Sequence, residues 1–320
     1  MNNWHEEAER IRERRGRDTF WSDAFALRGS ITLQVSRSVL IFTLIAVAVC
    51  ALNDAVHPDL GVEVAPYEVA GAALGLLLVL RTNAGYDRWW EGRKLWGGIT
   101  NQCRTLAGTA LAHGPDDPAW RDQVVRWTAA FAHATRCSLR GERRLPEVEA
   151  LLGRDAAERI AAARHMPTAV SMSIAGLLRE GCERFGMDRF AFLSCEQSRN
   201  ALFDHLGGCE RIKSSPLPRV YGINIRRFIF MFLATLPFAL LAKIGWLTPL
   251  ATFLVAYPIL AIDQIGVSLQ NPFDVRDLGH LPLDEITATI ERDVLSLLGP
   301  DPRAFPGEGG PDNLAAVRSN

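Results

Sequence analysis

The chain lacks the short motifs that most zinc, redox and nucleotide sites require. Its six cysteines include no C-x-x-C pair, which argues against a zinc knuckle and against a thioredoxin-type motif. Neither H-E-x-x-H nor G-x-x-x-x-G-K-[ST] occurs in the 320 residues. We therefore expect reduced thiols, no cofactor and no resident metal ion.

The chain also lacks an excess of either charge. Lysine and arginine number 35, aspartate and glutamate 36, and the formal net charge is −1. Nucleic-acid binding would need a basic excess or a basic face, so we expect no nucleic-acid partner. Hydrophobic residues make up 48% of the chain, which excludes disorder as its main state. Runs of alternating β-branched residues are missing, and the sequence predicts an all-α protein.

Apolar residues are concentrated in four runs, at 38–52, 66–80, 228–242 and 245–262. With residues 31–36 added, the first run reaches the roughly 20 residues that a membrane-spanning helix needs. Four buried helices of a soluble protein are the alternative. Such helices usually keep a polar stripe, whereas these runs are apolar on every side. The sequence therefore predicts an integral membrane protein with four transmembrane helices.

Histidines and charged residues are nearly absent from the four runs. All seven histidines lie outside them, which argues against a membrane haem protein. Glu68 lies near one end of the second run, and Asp263 lies at the exit of the fourth. Proton-coupled transporters place ionisable groups at mid-membrane, so their absence disfavours that class. It also disfavours an intramembrane hydrolase, and we expect no enzymatic activity.

The loop charges predict the orientation in the membrane. The first thirty residues carry several arginines and no apolar core, so we expect no cleaved signal peptide. The loop at 53–65 has no lysine or arginine, whereas arginines precede the first and third runs and follow the second. The positive-inside rule then places both termini in the cytoplasm, and we expect a bacterial inner membrane.

This topology divides the chain into six predicted segments. They are a cytosolic N-terminal segment (1–30), transmembrane helices 1 and 2 (31–80, with 66–80 as the second), a cytosolic helical domain (81–225), transmembrane helices 3 and 4 (226–262), a cytosolic C-terminal segment with a helix (263–298) and a disordered tail (299–320). Amphipathic spacing in the cytosolic parts predicts helices over 99–135 with a break near 114–118, and over 147–163, 168–184, 189–206 and 283–298. Gly207 and Gly208 predict a C-cap for the helix at 189–206.

Small residues fill the first half of the second apolar run and leucines its second half. Ala72, Leu76 and Leu80 are spaced four apart and share one helix face. This stripe has two interpretations: a surface that packs against lipid or another helix, or a hydrophobic constriction that gates a pore by dewetting. Spacing alone does not decide between them.

Three segments resemble one known family. The string R-T-N-A-G-Y-D-R-W-W-E-G-R-K-L-W-G at 81–97 resembles the signature that follows the pore helix of bestrophins and their bacterial homologues. The strings S-P-L-P-R-V-Y at 215–221 and N-P-F-D at 271–274, continuing through L-P-L-D at 281–284, resemble two further bestrophin segments in the same order. The signature residues are Arg81, Asn83, Tyr86, Asp87, Arg88, Trp89 and Trp90.

The resemblance implies a homopentameric channel that conducts small monovalent ions passively through a central pore, with lipid and further copies of the chain as its partners. By position relative to the R-W-W string, the narrow neck falls on Ala72, Leu76 and Leu80. A second, cytosolic aperture is expected near Phe190, with Phe192 and Leu193 as equally reasonable positions.

Two departures from the family pattern affect what is expected. Animal bestrophins have aromatic neck residues, and this chain has alanine and leucine, which leaves anion or cation selectivity open. Animal members also bind calcium through acidic residues after N-P-F, but here Asp274 and Asp277 are separated by Val275 and Arg276. Calcium takes six to eight oxygen ligands, so we expect weak or no calcium activation. The alternatives are a non-conducting membrane scaffold and a membrane enzyme or carrier.

Overall fold

The computed structural model describes residues 30–56, 60–277 and 279–299. Every regular element in these ranges is helical, which confirms the predicted all-α class. The predicted N-terminal segment and the predicted disordered tail lie outside the described residues, except for residues 30 and 299.

Ten α-helices follow one another along the described residues. They are α1 (Thr32–Val56), α2 (Ala65–His113), α3 (Pro118–Arg140), α4 (Pro146–Leu152), α5 (Arg154–Ala162), α6 (Met166–Phe185), α7 (Arg189–Ser214), α8 (Arg219–Ile244), α9 (Thr248–Ser268) and α10 (Leu283–Ser296), with a 3₁₀ turn at Gly245–Leu247 between α8 and α9. The break predicted near 114–118 is confirmed, since α2 ends at His113 and the Asp117 side chain caps the start of α3.

One compact unit contains α1, the part of α2 up to residue 87, α8 and α9. In this unit α1 packs against α8 and α9, and α8 packs against α9. The buried core is apolar and consists of Phe42, Leu74, Leu78, Ile225, Ile229, Leu233, Leu236 and Ala256. Large apolar side chains also cover the outer faces, including Leu40, Ile41 and Leu44 on α1. Exposed apolar surface of this kind indicates a lipid or protein environment.

Three helical segments of the described chain are long and apolar enough to cross a membrane: Thr32–Val56, Ala65–His113 and Arg219–Ser268. The third segment consists of α8 and α9, which pack against each other on either side of the 3₁₀ turn. Gly245 has φ +50°, a left-handed conformation that glycine adopts without strain, and it ends α8.

The other compact unit contains α2 from residue 88 onward, α3 to α7 and α10. Its centre is α3, which packs against α6 and α10. Most of α3 is buried, including Val124, Phe131 and His133. The boundaries between the two compact units lie at 87/88 and 216/217. The predicted boundaries at 81 and 225 refer instead to the membrane surface, and they stay predictions.

The predicted C-cap at Gly207 and Gly208 is wrong, because α7 continues through both residues to Ser214. A Cβ atom at position 208 would lie 2.7 and 2.8 Å from the two methyl carbons of Leu95. Glycine at this position therefore permits close approach of α2 rather than ending the helix. The sequence shows the glycine pair but does not show which neighbour approaches it.

All six cysteines lie in the described residues as free thiols. Burial raises the pKa of Cys103 and of Cys209 to about 12, and that of Cys195 to about 11. These thiols are therefore protonated at neutral pH and act as small apolar groups in the core.

Candidate functional site

One face of α2 carries the three residues predicted for the neck. Ala72, Leu76 and Leu80 are exposed, with 62% of Leu76 and 51% of Leu80 accessible. On the opposite side, Leu74 and Leu78 are buried in a core shared with α8. Residues spaced four apart stay on one face of an α-helix. The chain therefore leaves an apolar stripe of α2 uncovered.

The same face becomes polar directly after the leucines. Asn83 and Asp87 follow Leu80 by three and seven residues, and both are exposed. Over about two turns the exposed surface changes from alanine and leucine to an amide and a carboxylate. The exposed face of α2 is therefore apolar up to Leu80 and polar beyond it.

Arg81 follows Leu80, but its side chain lies on the buried side of α2. It is 3% exposed and forms an ion pair with Asp263 of α9, which is 6% exposed. Arg226 of α8 binds the other carboxylate oxygen, with 3.2 Å between its Nε and Oδ2 of Asp263. Removing one partner of a buried ion pair leaves a charge without compensation, which costs about 3–5 kcal/mol. The pair therefore joins α2 firmly to α9.

Helices α2 and α9 also approach closely one turn further on. A Cβ atom at Gly85 would lie 2.9 Å from the carbonyl oxygen of Gly266 and 3.2 Å from Cβ of Leu269. Any larger residue at position 85 would force the two helices apart. The ion pair and this glycine contact thus hold the same part of α2.

The second half of the signature string supports the other compact unit. Arg88 donates hydrogen bonds to the carbonyl oxygens of Ile212 and Ser215 at the C-terminus of α7. Trp89 packs against the core, while Trp90 is 47% exposed and its ring stacks on that of Trp89 with 6.5 Å between centroids. These contacts are structural, since they join the string to α7 and to the core of this unit.

The N-P-F segment packs against α2 within the same unit. Phe273 is fully buried, and its ring carbons lie 3.4 Å from where a Cβ atom of Gly92 would be. The backbone N–H of Leu281 donates to the carbonyl oxygen of Pro272 at 2.7 Å. The string at 81–97 therefore contacts both other segments that resembled the family, because Arg88 also bonds to Ser215 at the start of S-P-L-P-R-V-Y.

The start of α7 contains the three positions considered for the cytosolic aperture. Asp188 caps this helix, since its side chain accepts hydrogen bonds from the backbone N–H groups of Phe190 and Ala191. Phe190 is 82% exposed and Leu193 is exposed as well, whereas Phe192 packs against the core. The exposed pair is available to line a passage, and the packing of Phe192 favours a structural role for that residue.

The predicted degenerate calcium positions supply few ligands. Asp274 and Asp277 flank Val275 and Arg276, and the described residues contain no group of three or more His, Cys, Asp or Glu side chains able to hold a metal ion. Calcium takes six to eight oxygen ligands, several of them carboxylates, and the residues here do not fit such a set. Weak or absent calcium activation stays a prediction.

Residues 11–296 match the family described as bacterial and fungal bestrophin protein. The chain belongs to the bestrophin family. The match includes all the helices from α1 to α10 and confirms the resemblance inferred from the signature strings.

Several relatives are similar to this bestrophin along most of its length. A voltage-dependent anion channel-forming protein of Nostoc sp. is 33% identical over 287 residues, which cover 88% of this chain and 93% of that protein. Another, of Ralstonia nicotianae, is 34% identical over 277 residues, with 86% and 90% covered. The crystal structure of a bacterial bestrophin homologue from Klebsiella pneumoniae superposes with a TM-score of 0.76 at 25% identity, covering 84% of this chain and 100% of that one.

Sequence reasoning missed the partners of Arg81 in this bestrophin. Asp263 was assigned only to the exit of the fourth apolar run, although it is the one charged residue in the sequence of α9. A lone carboxylate in such a helix is a signal that a cation lies nearby. Several arginines follow the second run or precede the third. Helix packing among α2, α8 and α9 decides which of them binds Asp263.

Proposed function

We propose that the chain is one subunit of a homopentameric channel that conducts small monovalent ions passively across the bacterial inner membrane. The observation that supports this most is the uncovered apolar stripe of Ala72, Leu76 and Leu80 on a helix whose other face is buried. In a ring of copies, such a stripe on each α2 would line a central pore. The family of the chain and the names of its relatives favour the same function.

The proposal includes four membrane crossings, formed by α1, the first part of α2, α8 and α9. The apolar outer faces of these helices suit lipid or neighbouring subunits. The segments 81–225 and 263–298 would then lie in the cytoplasm together with both termini, because the arginines flank the crossings on that side.

The proposed mechanism is diffusion through a pore that a hydrophobic neck controls. Leu76 and Leu80 present neither charge nor hydrogen-bonding groups, so a narrow ring of them would resist wetting and act as a gate. On the cytoplasmic side of the neck, Asn83 would contact the ion as the ion becomes hydrated again. Phe190, with Leu193 as its neighbour on α7, would form the second constriction in the cytosolic part of the pore.

We further propose that anions permeate better than cations. The neck residues are neutral and do not discriminate, so this part of the proposal rests on the relatives, which are named anion channel-forming proteins at 33% and 34% identity. Ala72, Leu76 and Leu80 are not aromatic, so ring edges in the proposed neck would not assist the anion.

The reversal potential of the purified protein in a planar bilayer under a sodium chloride gradient tests the proposal. We expect a shift toward the chloride equilibrium potential. A shift toward the sodium potential would contradict the anion preference while retaining the channel. Silence of both the native protein and the Leu80→Ala variant, with assembly intact, would contradict the channel and favour a non-conducting membrane scaffold.

A further inference from the structure

The buried ion pair between Arg81 and Asp263 lies at the inner end of the uncovered stripe. Positions 69–80 of α2 contain no charged residue, and Asp263 is the only charged residue of α9. Each helix therefore carries one charge in this region, and the two charges meet. Charges buried in protein are costly unless they are paired, so this pair constrains where α2 can lie against α9.

The two partners of Asp263 differ in their surroundings. Arg81 is buried, whereas the side chain of Arg226 is 57% exposed. Arg226 keeps a side chain that the protein does not enclose if its contact is lost, whereas Arg81 is enclosed. The contact with Arg81 is therefore the one that resists separation of α2 from α9.

The contact between Arg81 and Asp263 lies on the side of α2 opposite to the uncovered stripe. Leu80 points outward from the chain, and the next residue, Arg81, points inward to Asp263. One turn later, Gly85 allows α2 to lie directly against Gly266. Both contacts pull the end of α2 back toward its own helices, away from the surface that carries Leu76 and Leu80.

We propose that Arg81 and Asp263 are positioning residues that keep the neck from collapsing. The inference rests on the proposed function: if the stripe lines a pore, the ion pair in each subunit holds α2 back from the pore axis and sets the distance between the Leu80 side chains across it. Loss of the pair lets α2 move inward, and the leucine ring narrows and dewets.

The test is the single-channel conductance of the full-length protein in planar bilayers under symmetrical potassium chloride. Asp263→Asn removes the charge that binds Arg81 and keeps the shape of the side chain. We expect a several-fold lower conductance, an unchanged reversal potential and an unchanged oligomer mass in detergent. Adding Leu80→Ala to Asp263→Asn should restore conductance, because it removes the bulk that closes the neck. Asp263→Glu keeps the charge and should conduct better than Asp263→Asn.

A matched control is Asp293→Asn. Asp293 of α10 also binds an arginine of α2, Arg104, but that pair is only partly buried and belongs to the other compact unit. We expect native conductance for this variant. Arg226→Gln removes the exposed partner of Asp263 and should lower conductance less than Asp263→Asn does.

Destabilisation is separated from positioning by the double variant Arg81→Met with Asp263→Leu. An apolar pair of similar volume often replaces a buried ion pair without loss of stability, but it lacks the fixed geometry of the ion pair. Assembled channels of this variant should conduct less than native ones. Native conductance in the double variant, or in an assembled Asp263→Asn variant, would overturn the inference. Silence of both the native protein and Leu80→Ala would instead overturn the proposed function, and the inference with it.

Discussion

A hydrogen bond of 2.8 Å joins the guanidinium Nη1 of Arg88 to the carbonyl oxygen of Ser215, the C-cap residue that follows α7. A second bond from the same guanidinium reaches the carbonyl oxygen of Ile212. The last carbonyl groups of a helix have no partner within the helix, and a cation placed there also interacts favourably with the helix dipole. Arg88 thus caps α7 from within the signature string.

Replacing Arg88 by alanine should destabilise this unit. A hydrogen bond from a charged donor contributes about 1.5–3 kcal/mol, so loss of both bonds should lower the free energy of unfolding by at least about 1.5 kcal/mol. The midpoint of thermal unfolding in detergent measures the effect. Arg93→Ala, an exposed arginine on the same helix, is the control and should leave the midpoint near the native value. Equal midpoints for native protein and Arg88→Ala would show that the cap contributes nothing.

Shortening Leu80 should raise the current through the proposed pore. Leu80→Ala removes three carbons from the narrowest predicted ring, which makes wetting of the neck easier. Single-channel recording should show a higher conductance or open probability than in native channels. Val79→Ala is the matched control, since Val79 is the exposed neighbour of Leu80 on α2 and was not predicted for the neck. A larger effect from Val79→Ala would place the neck at a different position on the helix.

The close contact between Gly85 and Gly266 should not tolerate a side chain. Gly85→Ala places a carbon 2.9 Å from the carbonyl oxygen of Gly266, so α9 must shift, at a cost of about 1–3 kcal/mol. We expect a lower unfolding temperature and a lower yield of assembled protein. Gly108→Ala is the comparison, because a Cβ atom there meets nothing within 4 Å and should stabilise α2 by up to about 1 kcal/mol.

Acid should destabilise the contact between α3 and α10. Hydrogen bonds from both guanidinium nitrogens of Arg140 lower the pKa of the Asp284 carboxyl below its ordinary value of 3.8. A carboxyl whose pKa is lower in the folded state stabilises the fold above its unfolded-state pKa, and this contribution is lost as the pH falls through the folded-state pKa. The native unfolding temperature should therefore drop more steeply below about pH 4 than that of Asp284→Asn.

The control for this pH dependence is Asp155→Asn. Asp155 is likewise in the first turn of a helix, α5, but it is exposed. Its replacement should leave the decrease of the unfolding temperature with falling pH unchanged. If Asp284→Asn and the native protein have parallel profiles between pH 5 and pH 3, the bond to Arg140 does not contribute to folding stability.

Local features of the chain could be predicted from the sequence without a structure. The apolar runs indicated helices at the positions of α1, α8 and α9, because apolar residues on every side are incompatible with a water-exposed helix. Gly114 and the following prolines marked the interval between α2 and α3, since proline lacks the backbone N–H that a helix interior needs. The string at 81–97 pointed to the bestrophin family, which the match over residues 11–296 confirms.

Features that depend on a neighbouring helix could not be predicted in the same way. Gly207 and Gly208 look the same in sequence whether they end a helix or admit Leu95, and only the packing of α7 on α2 distinguishes the two. Phe190, Phe192 and Leu193 were equivalent candidates until the fold packed the ring of Phe192 against a core and left the other two exposed.

The sequence by itself determined the helical class, the apolar segments and the family, because these follow from composition, periodicity and short strings within one stretch of chain. The tertiary structure decided which side of each helix is buried, and so brought Arg81 to Asp263 across 182 positions of sequence. A buried ion pair forms only where two opposite charges come within a few ångströms of each other in a place that water does not reach. That condition is set by helix packing, and no local pattern encodes it.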